Sequence, residues 1–85
     1  MKIVKVNSEN KLIPIDIYEE IFDVNIQKRR NYQFGTVDAN GDLNIHTMDP
    51  KLDELRGMWY SPIMQYIANV NIDVDWEKSL IKLKY

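Results

Sequence analysis

"PKLDELRGMWYSPIMQYIAN", Pro50 to Asn69, is the stretch whose reading decides the fold. Leu52, Leu55, Trp59, Ile63 and Tyr66 recur through it at helical spacing, as an amphipathic helix requires. Asp49-Pro50 and Ser61-Pro62 each place a capping side chain before a proline, the usual grammar of a helix start. A proline inside a helix costs about 3 kcal/mol, so two short helices meeting near Gly57–Tyr60 are preferred to one helix kinked at Pro62. The expectation is one or two short helices near 50–69.

Upstream, "NYQFGTVDANGDLNIHT" reads as a hairpin over about 32–47. Asn40-Gly41 tolerates positive φ and is a strong turn signal. A two-residue loop would set the Asp38 carboxylate across from Leu43. A three-residue loop over Asp38-Ala39-Asn40, with Gly41 left-handed, instead pairs Val37 with Leu43 and Gly35 with Ile45. A one-residue slip exchanges the two faces of a strand, so the bulged register is expected.

Asp38, Asn40, Asp42 and Asn44 alternate as in the opening of a calcium loop. Counted from Asp38, however, the sixth residue is Leu43 where a glycine is needed. The twelfth is Asp49 where a bidentate glutamate is needed. The segment is read as a turn, and no metal is assigned. His46, the only histidine, lacks an accompanying nucleophile motif and is expected on the surface or rim.

"KIVKV" and "LIPI" are expected to form an N-terminal hairpin over 2–15, with the second strand at a sheet edge because Pro14 lacks a donor. Asp16 with Glu19 has capping-box spacing, and Ile17, Ile21 and Val24 recur helically, which predicts a helix near 17–29. At the C-terminus Val70, Ile72, Val74 and Trp76 alternate with polar residues, and Ile81, Leu83 and Tyr85 answer them. A hairpin over 70–85 turning at Glu77-Lys78 would place Asp73 across from Lys82. The fold class implied is a small α+β domain, a mainly antiparallel sheet built from hairpins and packed with helices.

Composition bounds the function. Eighty-five residues with 45% apolar content make one domain with one core. The absence of cysteine removes disulfides and thiolate metal sites and favours a reducing, cytoplasmic setting. No apolar run is long enough to cross a membrane. A net charge of -2 does not favour a broad phosphate-binding surface. No nucleotide-binding or hydrolase motif occurs, so no enzyme and no cofactor are assigned.

Two clusters exceed their structural need. Arg56, Met58 and Tyr60, in "RGMWYSP", are residue types enriched at protein interfaces, and Met58 and Tyr60 lie off the stripe that carries Trp59. They are the candidate surface for a protein partner. Lys28, Arg29 and Arg30, with Tyr32 and Phe34, join cations to aromatics and form the alternative, a nucleic-acid-binding module. The expected function is non-enzymatic binding of a partner macromolecule. Small size and usage favoured by AT-rich codons fit an accessory or inhibitor protein of a phage or other mobile element.

Overall fold

The computed structural model describes residues 1–17 and 31–83. Among these residues nine strands form three antiparallel sheets. A four-stranded sheet runs in the order β7 (Met64–Asn69), β4 (Asp42–His46), β3 (Phe34–Val37), β9 (Ile81–Lys82). A three-stranded sheet has the order β2 (Leu12–Pro14), β1 (Ile3–Val6), β8 (Asn71–Ile72). The strands β5 (Lys51–Asp53) and β6 (Met58–Tyr60) pair with each other alone. The one complete helical element among the described residues is a 3-10 turn over Trp76–Lys78. The α+β expectation is therefore overturned in favour of an antiparallel β fold.

The largest correction falls on 50–69, where β5, β6 and β7 stand in place of the expected helices. A separation of seven residues brings two side chains together as two helical turns, but equally across a four-residue loop. Leu52 and Trp59 meet in the second way, as cross-strand partners. Leu55 lies in the loop, and Ile63 and Tyr66 are exposed. The stripe was a coincidence of spacing. The prolines stand just before strands, where a missing N–H is tolerated as well as it is at a helix start.

The 70–85 hairpin is also corrected. β8 pairs with β1 and β9 pairs with β3, so Asp73 does not face Lys82 across a ladder. The alternating pattern is real only as far as Ile72, because Trp76 has entered the 3-10 turn. The helix expected near 17–29 lies outside the described residues except for Ile17, whose side chain is buried in the core.

The other two hairpins stand as expected. Val37 pairs with Leu43 and Gly35 with Ile45. Gly41 has φ +91°, and its N–H donates to the Asp38 carbonyl at 2.9 Å, closing the three-residue turn. β1 pairs with β2 through Val4–Pro14, Lys5–Ile13 and Val6–Leu12, and β2 lies at the edge where Pro14 put it.

β4 is buried on both faces. Leu43 and Ile45 face the apolar core with Ile3, Ile17, Val37 and Ile67, each contributing roughly 1.5–3 kcal/mol by burial. β7 joins this core through a bulge: Leu43 faces Ala68 while Asn44 faces Tyr66, leaving Ile67 as the extra residue. The opposite face of the β3–β4 hairpin carries Thr36, Asn44 and His46. That face is polar, and it is buried as well.

Candidate functional site

A polar second core anchors the β5–β6 arm to the sheet. Asp38 follows β3, with one carboxylate oxygen, Oδ2, accepting from Asn44 Nδ2 at 3.1 Å. The other, Oδ1, accepts the backbone N–H of Trp59 at 2.8 Å. Beside it the Ala39 N–H donates to the Gly57 carbonyl at 2.9 Å. Burial pushes the Asp38 carboxyl above its ordinary value, the Trp59 N–H opposes this, and the Asp42 charge adds to it. The Trp59 ring is buried, and its indole N–H donates to the Trp76 carbonyl at 3.1 Å.

His46 corrects a further expectation, for it is fully buried and not at the rim. Its Nε2 lies 2.8 Å from Thr36 Oγ1 and its Nδ1 lies 2.7 Å from Ser61 Oγ. Ser61 Oγ also donates to the Ile63 carbonyl at 3.1 Å, so Nδ1 carries the hydrogen and Nε2 accepts from Thr36. One neutral tautomer satisfies the whole chain of bonds. Burial pulls the imidazole from 6.5 down to about 4. Ser61 beside a histidine invites comparison with an activated nucleophile, but both side chains are sealed from solvent. They tie the β6–β7 connection to the sheet. Ser61-Pro62, read as a helix start, serves as this tie.

Ser79 provides a similar seal on the other side of β3. Gly35 pairs with Ile81, so Val37 should meet residue 79, where the chain has already turned. The Ser79 hydroxyl takes the missing place, accepting the Val37 N–H at 2.9 Å and sharing its one hydrogen between the Trp76 carbonyl at 2.6 Å and the Val37 carbonyl at 3.0 Å.

The sequence-derived partner residues all lie on the arm. Strand alternation puts Lys51, Asp53, Met58 and Tyr60 on one face and Leu52 and Trp59 on the other. Tyr60 is 54% exposed, Met58 is partly exposed, and Arg56 is exposed in the loop, where its Nε lies 3.6 Å from Asp53 Oδ2. A helix would separate Met58 and Tyr60 from Trp59 by rotation, and the strand separates them by alternation. Leu55, at the tip, was not singled out as a contact residue, yet its side chain is entirely free, at 101% of reference exposure. Leu52, Leu55, Arg56 and Tyr60 border an open groove of about 680 Å³.

The nucleic-acid alternative is not assembled among the described residues. Lys28, Arg29 and Arg30 lie outside them. Tyr32 is 3% exposed and packs in the apolar core, so its ring presents no face for a base. Phe34 is half-buried opposite His46. Among the described residues no group of three or more His, Cys, Asp or Glu side chains could hold a metal ion. No described helix is long and apolar enough to cross a membrane. No protein-family model matches the chain, and neither a characterised protein nor a solved structure gives a significant match.

Proposed function

We propose that this chain is a non-enzymatic protein that binds a partner macromolecule through the β5–β6 arm. The observation that carries the reading is Leu55, fully exposed at the arm's tip beside the groove bordered by Leu52, Arg56 and Tyr60. A leucine left entirely in water gains nothing for the fold, and roughly 1.5–3 kcal/mol is recovered when a partner covers it. The tip does not hang loosely. Asp38 and Ala39 hold Trp59 and the loop residue Gly57, and the Trp59 indole holds the Trp76 carbonyl, in one geometry, which lowers the ordering cost of binding. Tyr60 and Arg56 add the aromatic area and the charged hydrogen-bond donor typical of binding hot spots. A cytoplasmic setting fits the lack of cysteine, and an accessory or inhibitory role fits a surface without a reacting group.

The test uses the wild-type chain as bait in an extract of its source cell, beside Leu55→Ala, Tyr60→Ala and Arg56→Ala. Each variant should melt within a few degrees of the wild type and retain much less of the same captured protein. Trp59→Ala should instead lower stability by about 3–5 kcal/mol. Equal capture by all three surface variants, or unfolding by Tyr60→Ala as severe as by Trp59→Ala, removes the arm's claim.

A further inference from the structure

The arm also has a free strand edge. Trp59 gives its N–H to Asp38, and just before β6 the Gly57 carbonyl accepts from Ala39, so β6 turns the backbone groups of Trp59 away from β5. Antiparallel ladders alternate, which makes Leu52–Trp59 a pair without mutual hydrogen bonds. The N–H and carbonyl of Leu52 therefore point outward from β5 into solvent. Two other edges are protected. β2 carries Pro14, while β7 has the Ile67 bulge and the Gln65 amide donating to the Tyr66 carbonyl at 3.1 Å. β5 has neither device within its three residues, and its neighbour Pro50 only ends the edge.

The order of charges on this edge complements itself. Lys51, Leu52 and Asp53 turned antiparallel about Leu52 put Lys51 opposite an aspartate and Asp53 opposite a lysine. We propose that β5 pairs with β5 of a second copy of this chain, about a two-fold axis through Leu52. At the centre, each Leu52 N–H donates to the Leu52 carbonyl of the other copy. On either side, Lys51 of one copy meets Asp53 of the other in the closer, non-hydrogen-bonded type of pair.

The two arms then form one four-stranded ribbon, β6-β5-β5-β6. Its outer face carries Tyr60 and Lys51 of one copy in a row with Asp53 and Met58 of the other. Such a short edge makes a weak, exchanging dimer, well below the size of permanent interfaces. Pairing needs no other partner, so it stands or falls separately from the binding role proposed above.

The chain has no cysteine, so a single introduced thiol reports only on its own position. Facing Cα atoms of a hydrogen-bonded antiparallel pair lie about 5.5 Å apart, inside the range a disulfide spans. Under mild oxidation Leu52→Cys should form a covalent dimer several times faster than Leu12→Cys or Leu55→Cys, although both those sites are more exposed. Adding Lys51→Glu to Leu52→Cys sets a glutamate against Asp53 of the other copy and should slow the reaction severalfold. Without any introduced thiol, the mean mass in sedimentation should rise with concentration for the wild type and stay at one chain for Leu52→Pro. Cross-linking of Leu52→Cys no faster than the two controls, or unchanged by Lys51→Glu, overturns the proposal.

Discussion

Asp38 and Trp59 are joined by a 2.8 Å hydrogen bond from the Trp59 backbone N–H to Asp38 Oδ1, across a sequence separation of 21. The bond links the turn of the central hairpin to the middle of the arm. It gives the turn carboxylate a role that the calcium-like spacing concealed. Asp38→Ala leaves the Trp59 N–H and the Asn44 amide without their acceptor and should cost about 2–3 kcal/mol. Asp38→Asn keeps an oxygen for Trp59 and removes the cost of a buried charge, so it should be the milder change. Urea denaturation of the two variants decides the point, and a milder alanine would mean that the bond does not hold the arm.

His46 predicts a pH dependence. Its folded value, about 4, lies below its ordinary 6.5, so the unfolded chain takes up the proton first on acidification. The stability it contributes is complete above pH 6.5 and is lost as the pH falls toward 4, by about 2–3 kcal/mol. Asp38 acts in the opposite sense, because its raised carboxyl is relieved by protonation. The difference between the wild type and His46→Gln isolates the histidine. The wild type should lose more stability than the variant between pH 7 and pH 4.5, and parallel curves would contradict the neutral buried imidazole.

At Ser79 one hydroxyl replaces a strand residue. Ser79→Ala strips the buried Val37 N–H and carbonyl of their partner and should destabilise by about 1–3 kcal/mol. Exchange of the Val37 amide proton should accelerate in the same variant. Retained protection at Val37 would show that another group serves it.

Gly41 combines φ +91° with a close approach: an added Cβ would stand 2.7 Å from the Val70 carbonyl oxygen. Gly41→Ala therefore strains both the turn and its contact with Val70, just after β7, and a loss of about 1–3 kcal/mol is expected. Addition of millimolar calcium should leave the wild-type melting temperature where it is, because Asp38 and Asn44 are occupied with each other. Several degrees of stabilisation by calcium would reopen the metal reading.

Local chemistry by itself determined the β3–β4 hairpin, down to its register. Asn40-Gly41 limits the turn, and Val37–Leu43 pairing is legible because the competing register sets the Asp38 carboxylate across from Leu43. Pro14 likewise settled the edge position of β2, since a missing donor is a property of one residue. The exposure of Met58 and Tyr60 was legible too, because helix and strand both turn neighbouring residues of Trp59 away from it.

Tertiary structure alone decided the rest. Whether 50–69 became helix or hairpin depended on anchors from another part of the chain: Asp38 takes the Trp59 N–H, Ala39 donates to the Gly57 carbonyl, and His46 holds Ser61. Whether 70–83 paired with itself depended on β1 and β3, whose free edges offered β8 and β9 partners far away in sequence. Periodicity reports which residues share a side of one segment. It is silent about the second segment that makes that side an interior, and for His46 that partner turned a surface histidine into a buried one.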